Sequence, residues 1–211
     1  LFGGIHRGFT PPSSGALKIL NFGEGLDDSG LDLDAEKSWN KELGLRGTLS
    51  LVEYEIAGFH IDIENLVAAG RGTAFKNLGK VASQGVESRM GITLSQISSL
   101  LPDIHVAYTF LHTEVKDGAI ISNVSGSAGS VTSINGKELP YSPNHTVTAG
   151  FKFKPTPNLQ LRTDFRLVSK AYTDFENIEE TDANGISGPI PEYGIFNISG
   201  SYLISENFKL F

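Results

Sequence analysis

Two adjacent segments of the chain alternate strictly between apolar and polar residues. The apolar positions of the first segment, His145–Lys154, are Val147, Ala149, Phe151 and Phe153. Those of the second segment, Leu159–Tyr172, are Leu159, Leu161, Phe165 and Leu167. A period of two places neighbouring side chains on opposite faces of an extended strand. Because only the residues PTPN separate the segments, the pattern predicts a β-hairpin with one apolar and one polar face.

The same alternation recurs along most of the chain and predicts an all-β protein with about nine strands. The predicted strands are Phe2–Phe9, Ser38–Arg46, Val52–Asn65, Ser88–Ser95, Ile104–Glu114, His145–Lys154, Leu159–Tyr172, Tyr193–Leu203 and one that begins at Phe208. In the third strand the apolar phase changes from Tyr54 and Ile56 to Phe59 and Ile61. An extra residue reverses the faces of a strand, so this change predicts a β-bulge near Ala57–Gly58.

The connections between the predicted strands are alternately long and short. The long ones cover residues 10–37, 67–87, 115–144 and 173–192, and the short ones lie at 47–51, 101–103, 155–158 and 205–207. A single strand of this kind is equally typical of a soluble sheet with one solvated face. Long loops at one end of every strand are instead typical of an outer-membrane barrel. The sequence therefore predicts a transmembrane antiparallel β-barrel segment, with its apolar faces towards lipid and its polar faces towards a wet lumen.

Composition and motifs exclude several other classes of protein. The chain has no cysteine, and its formal net charge of -7 without a basic run argues against nucleic acid as a partner. The chain has no run of about 18 apolar residues, so the sequence does not predict a membrane helix. The motifs of hydrolases, zinc peptidases and nucleotide-binding proteins are absent. His60 and Asp62 share a strand face, which we interpret as a hydrogen-bonded pair in the lumen. The sequence predicts neither an enzyme nor a cofactor.

Four segments of the chain resemble segments of TonB-dependent outer-membrane receptors, in the same order and spacing. In the first, LFGGIHRGFTPPSS, a polar pair, His6 and Arg7, leads into a Gly-Phe-x-x-Pro turn. The second, EKSWNKELGLRGTL, resembles the family's next strand through its Glu-x-Gly-x-Arg run. The third is FHIDIENLV followed by ESRMGITLS, and the fourth is LPYSPNHTVTAGFKF. Ferric-citrate and siderophore receptors are the members that these segments are most similar to.

The resemblance implies a larger protein than the present chain. Receptors of this family are barrels of 22 strands with a plugged lumen. We therefore expect residues 1–211 to be the C-terminal part of such a barrel, without the plug domain, the N-terminal strands and the last strand. The implied function is capture of a ferric chelate at long extracellular loops, followed by import energised by the TonB complex, which would act through the missing N-terminal part. The implied location is the bacterial outer membrane, with its lipid as a further partner.

Cationic side chains on the outward loops are the predicted ligand contacts, because ferric chelates are anionic and arginine grips carboxylates in a bidentate manner. The candidates are His6, Arg7, Arg71, Lys76, Lys80 and Arg89. The alternative for each of them is a solvated loop charge or a lumen residue that contacts the plug. Two other functions stay open: a passive porin or other outer-membrane barrel, and a soluble β-sheet carbohydrate-binding protein.

An acidic segment near the N-terminus is a weak candidate for a calcium site. Its carboxylates belong to Asp27, Asp28, Asp32 and Asp34, and Ca²⁺ prefers such oxygen ligands. Their spacing does not match an EF-hand loop. A solvated acidic loop is therefore the favoured interpretation, and no metal site is predicted.

Overall fold

A computed structural model describes residues 1–11, 34–69, 75–122, 129–181, 188–206 and 208–211. The strands in this part of the chain are β1 Phe2–Thr10, β2 Glu36–Leu49, β3 Val52–Glu64, β4 Val67–Ala69, β5 Phe75–Asn77, β6 Lys80–Thr93, β7 Asp103–Asp117, β8 Ala119–Ile121, β9 Val131–Ser133, β10 His145–Thr156, β11 Leu159–Val168, β12 Tyr193–Ser205 and β13 Phe208–Leu210. Nine of them form one sheet in the order β1-β2-β3-β6-β7-β10-β11-β12-β13, and all its pairs are antiparallel. The predicted all-β fold of about nine antiparallel strands is confirmed.

Two small hairpins and one boundary differ from the sequence-based prediction. The pairs β4–β5 and β8–β9 lie within connections that were predicted as loops. Strand β6 begins at Lys80 and not at Ser88, because all of β3 pairs with residues 80–92. The connection before β6 is correspondingly shorter. Among the described residues, the single helical turn is a 3-10 turn at Leu94–Gln96, after β6, and none forms a helix long and apolar enough to cross a membrane.

The strand register defines two faces of the sheet, which we call the Phe151 face and the Lys152 face. Directly opposed residues of paired strands share a face. Phe151 pairs with Ile104, and that row continues through Ile92 and Val52 to Leu49. On the next strand, Phe165 pairs with Ala149 and Phe196. The Phe151 face therefore carries a continuous apolar band, whereas the Lys152 face carries most of the charged side chains beside that band.

The predicted bulge in β3 is wrong. Strand β3 pairs in continuous register with β2 over its whole length and with β6 from Val52 to Glu64. Tyr54 and Ile56 therefore share the Phe151 face with His60 and Asp62. The apolar pattern reverses because the character of the face changes along the strand, from apolar near the short turns to charged near the long connections.

The long connections and the adjoining ends of β6 and β7 build a small hydrophobic core. Its members are Leu78, Val81, Val115 and Ile134, of which Val115 and Ile134 are fully buried. Ile63, Leu66, Ile120, Leu139 and Phe175 pack against these four residues. Gly79 has a φ of 99°, and a Cβ there would clash with the Asp117 carbonyl oxygen. Glycine is required at this position because a side chain would prevent the close approach of the two connections.

Candidate ligand-binding surface

A polar cluster on the Lys152 face joins three strands. The His105 Nε2 atom on β7 lies 3.1 Å from Asp164 Oδ1 on β11, and Arg162 Nε donates to Asp164 Oδ2 at 2.8 Å. Strand β10 runs between β7 and β11, and Gly150 is the residue at the crossing. A Cβ at Gly150 would lie only 2.7 Å from His105 Cε1. The missing side chain at this position is therefore what lets histidine reach the aspartate.

The same face carries further charges on β2, β3 and β6. Arg89 Nη2 donates to Glu55 Oε2 at 2.8 Å, and the Arg46 guanidinium lies 5.3 Å from the centroid of the Phe2 ring. Arg89 is more exposed than Glu55, with relative side-chain exposures of 72% and 27%. These groups form a polar wall with charges of both signs. Such a wall can bind polar solutes or the polar surface of another protein domain.

Two long connections are tied to each other by hydrogen bonds above this wall. Asn177 accepts from the Glu138 backbone N–H at 2.7 Å and donates from its side-chain amide to the Glu138 carbonyl at 3.0 Å. The Tyr141 N–H donates to the Tyr172 carbonyl at 2.8 Å. The described parts of residues 118–144 and 169–192 therefore form one packed unit and do not project as separate loops.

An ionic trio lies on the second of these connections, outside the strands of the sheet. Lys170 Nζ donates to both carboxylate oxygens of Glu179, at 2.8 and 3.1 Å, and the Tyr172 hydroxyl donates to Glu179 Oε1 at 2.6 Å. The Lys170 hydrogen bond lowers the pKa of Glu179 below its usual value. The hydrogen bonds to Glu179 raise the pKa values of Lys170 and Tyr172. The trio therefore favours a charged lysine, a charged glutamate and a neutral tyrosine.

The four predicted cationic contacts whose side chains the structure describes lie on two different faces of the sheet. His6 projects from the Lys152 face of β1, and Arg89 projects from the same face of β6. Arg7 lies on the Phe151 face, with its guanidinium 5.6 Å from the centroid of the Trp39 ring. Lys80 lies on that face as well, 3.7 Å from Glu64. Arg71 lies outside the described residues, and only the backbone of Lys76, in β5, is described.

The structure describes the predicted pair of His60 and Asp62 but only one of the four aspartates of the weak calcium candidate. Asp27, Asp28 and Asp32 lie outside the described residues, and no group of acidic or histidine side chains in the described part could hold a metal ion. Asp34 accepts a hydrogen bond from Asn77 and donates one to it through its backbone. His60 Nε2 and Asp62 Oδ1 are paired at 2.9 Å, as predicted. They lie on the Phe151 face, together with Tyr54 and Ile56 of the same strand.

Sequence reasoning missed the two clusters that the fold brings together. His105 and Asp164 are 59 residues apart, and only the register of β7, β10 and β11 makes them neighbours. The trio of Lys170, Tyr172 and Glu179 lies in a connection without periodicity. One signal in the sequence points to the first cluster. It is the alternation of the polar residues Arg162, Asp164 and Arg166 in the second strand of the hairpin at residues 145–172.

The whole chain, residues 1–211, matches the family model described as "TonB dependent receptor-like, beta-barrel". This model covers every strand of the sheet. It agrees with the family resemblance found in the sequence.

Solved receptor structures contain the same arrangement of strands. The siderophore receptor PiuA from Acinetobacter baumannii is 19% identical, with a TM-score of 0.68 over 97% of this chain and 28% of that one. The ferric yersiniabactin uptake receptor FyuA from Yersinia pestis is 18% identical, with a TM-score of 0.66 over 97% and 27% of the two chains. The ferric citrate transporter FecA is 22% identical, with a TM-score of 0.64 over 82% and 24%. At these identities the likeness establishes the fold, and the present chain spans about a quarter of the length of these receptors.

Proposed function

This chain belongs to the TonB-dependent receptor β-barrel family of the bacterial outer membrane, and on that basis we propose that the protein containing it imports a ferric chelate. The observation that carries the proposal is the family match over all 211 residues. The sheet fits this role because one face has an apolar band and the other has a charged wall. Transport of this kind requires no covalent chemistry, so the protein is proposed to be a transporter and not an enzyme.

We place the apolar band of the Phe151 face against lipid and the Lys152 face towards the lumen. An outer-membrane barrel needs an apolar exterior about 25 Å tall and has a polar interior. The long connections then lie outside the cell and the short turns lie on the periplasmic side. In this orientation the cluster of His105, Asp164 and Arg162 and the pair of Arg89 and Glu55 line the lumen. These groups would contact a plug domain supplied by the rest of the protein.

The proposed cargo is an anionic ferric chelate of the citrate or siderophore type. Its negative charge favours contacts with arginine, lysine and histidine. Of the predicted contacts, His6 and Arg89 lie on the proposed lumen side, and Arg71 and Lys76 belong to the connection between β3 and β6. Arg7 and Lys80 lie on the opposite face, which places them away from the proposed route. Energy for import would come from the TonB complex through the part of the receptor that precedes these strands.

A binding experiment on the purified full-length receptor tests this function. Ferric citrate, a ferric catecholate and a ferric hydroxamate would each be titrated and compared with its iron-free chelator. We expect one ferric chelate to bind at least about tenfold more tightly than its iron-free form, which corresponds to about 1.4 kcal/mol. A receptor that discriminated none of the three from the iron-free chelators would contradict the proposed cargo. A passive porin, the alternative function, would behave in this second way.

A further inference from the structure

The charged side chains of the Lys152 face are divided by sign between the two halves of the sheet. Within the described residues, β2, β3 and β6 carry mainly carboxylates on this face: Glu36, Glu42, Glu53, Glu55 and Glu87, with the cations Arg46 and Arg89. Strands β7, β10, β11 and β13 carry mainly cations there: Lys152, Lys154, Arg162, Arg166 and Lys209, with the carboxylates Asp103 and Asp164. One half of the face is therefore acidic and the other half is basic.

Three cations of the basic half have no ion-pair partner. Arg162 is engaged by Asp164 through two hydrogen bonds, at 2.8 and 3.2 Å. Among the described residues, in contrast, Lys152, Lys154 and Arg166 form no ion pair, and all three are exposed. Lys152 pairs with Arg162, and Arg166 lies four residues further towards the long connections. At about 3.4 Å per residue, the three free cations follow β10 and β11 over roughly 20 Å.

A small cavity lies at the end of this row of cations, beside the short turns. It is lined by Ser95 and Ser99 from the turn after β6, by Asp103, and by Lys152 and Lys154, and its volume is about 140 Å³. The Ser95 N–H donates to Asp103 Oδ1 at 2.9 Å, which fastens the turn to the start of β7. Two lysines outnumber the one carboxylate, so the cavity has a net positive charge. Because pockets for whole ligands have volumes of roughly 300–1,000 Å³, this cavity suits a single anionic group.

We propose that this cavity, which we call the lower anion site, binds an anionic oxygen group of the ferric chelate, such as a free carboxylate, as the chelate leaves the lumen. The ammonium groups of Lys152 and Lys154 would neutralise the charge, and the hydroxyls of Ser95 and Ser99 would donate hydrogen bonds. Arg166 would guide the chelate along the same wall, because a cleft lined by charges of one sign concentrates solutes of the opposite sign. The site lies at the other end of the sheet from the long connections and is therefore separate from initial capture. The proposal rests on the proposed import and on the membrane orientation given above.

Uptake of iron-55 through the full-length receptor tests the lower anion site, with the iron supplied as whichever of the three ferric chelates binds in the titration above. The test variant is Lys152→Gln with Lys154→Gln, and Lys152→Arg with Lys154→Arg keeps both charges. The matched control is Lys37→Gln with Lys41→Gln, which removes two lysines from the Phe151 face. An exposed ion pair contributes roughly a factor of two to three, so we expect about fivefold slower uptake in the glutamine test variant alone. Equilibrium binding of the chelate should be the same in all four proteins.

The outcomes separate failure of the lower anion site from failure of the proposed import. No uptake by the unaltered receptor would refute the import itself. Uptake by the glutamine test variant equal to that of the control would overturn the lower anion site and leave the import untouched. Weaker equilibrium binding by the glutamine test variant would place the two lysines at the capture site and would likewise contradict a role at the exit.

A plug domain with carboxylates at this position is the competing occupant of the cavity. If Lys152 and Lys154 hold the plug, their replacement by glutamine loosens it and opens a passive route through the barrel. Entry of a small hydrophilic dye into cells without TonB measures such a route. We expect the glutamine test variant to admit the dye no faster than the control variant. Faster entry would assign the two lysines to the plug and overturn the proposal.

Discussion

At the scale of single residues, Gly150 decides whether the cluster of His105, Asp164 and Arg162 on the Lys152 face can form. Its missing side chain lets His105 on β7 reach Asp164 on β11 across the intervening strand. The added methyl of alanine would clash with the Thr163 carbonyl oxygen and with the His105 ring. The alternating pattern predicted that position 150 faces the polar side, but only the register showed which residues meet there.

We therefore predict that Gly150→Ala destabilises the barrel by about 1–3 kcal/mol, the usual cost of overpacking. The control is Gly91→Ala, on the same face, where a Cβ would have no atom within 4 Å. Thermal unfolding of the full-length receptor in detergent is the measurement. Equal melting temperatures for the two variants would show that the His105–Asp164 contact does not depend on the glycine.

The trio of Lys170, Tyr172 and Glu179 makes a pH-dependent contribution to the stability of the connection between β11 and β12. The folded-state pKa of Glu179 is lowered, so its contribution is present above the unfolded pKa and is lost as pH falls through the folded value. The pKa values of Lys170 and Tyr172 are raised, so their contributions are present below their unfolded values and are lost as pH rises through the folded values. The contact is thus complete from about pH 5 to pH 9.5, given the usual pKa values of these groups.

We expect Glu179→Gln to lower the melting temperature within this window, because the neutral amide cannot accept the charge-assisted bonds. The difference from the unaltered receptor should shrink as pH falls through the lowered folded-state pKa of Glu179, because the carboxylate is then protonated. Melting temperatures of both proteins across pH 3 to 10, scanned in steps, measure this. A difference that stayed constant across the range would rule out ionic coupling in the trio.

At the scale of elements, the hairpin of β10 and β11 could be predicted almost completely. The alternation of Phe151 and Lys152 gave the correct faces and the correct pairing partner. The upper halves of β3 and β6 could not be predicted in the same way. Above Gly58 the Phe151 face becomes polar with His60 and Asp62, so a pattern search sees a reversed phase and infers a bulge. The physical reason is that the surroundings of one face change along the strand. A search for a period of two assumes that each face keeps the same character over the whole strand, so it cannot detect such a change.

Site-directed spin labels on β3 test this explanation. The chain has no native cysteine, so single labels can be placed at Ile56, His60 and Asp62, all on the Phe151 face. We expect collisions with oxygen to dominate at position 56 and collisions with a water-soluble nickel complex to dominate at positions 60 and 62, in the receptor reconstituted in bilayers. Oxygen collisions dominating at all three positions would mean that the strand does not leave the apolar layer at Gly58.

At the scale of the whole molecule, the long connections pack together as one unit at one end of the sheet. The core of Leu78, Val81, Val115 and Ile134 gathers residues that are far apart in the sequence, two from connections and two from the ends of β6 and β7. No periodicity marks these residues, because their burial depends on tertiary packing and not on strand alternation. The ligand contacts were unpredictable for the same reason: the register separates Arg7 and Lys80 from His6 and Arg89. Sequence patterns predict which strands exist, and packing decides which side chains meet.

Ile134→Ala tests whether this unit holds the connections in place. The side chain is fully buried, and such a truncation costs about 2–5 kcal/mol. Val131→Ala is the control, because Val131 is 78% exposed. Hydrogen exchange should rise across residues 129–144 in the first variant only, while the strands stay protected. Equal exchange in both variants would contradict a shared core.

We propose that the full-length protein is an importer of a ferric chelate, energised by TonB. Uptake of iron-55, supplied as the ferric chelate that the purified receptor binds, measures it in cells that depend on this receptor, with and without a functional TonB. We predict uptake above background only in the cells with TonB. Equal uptake in both strains would contradict the account and make the barrel a passive pore.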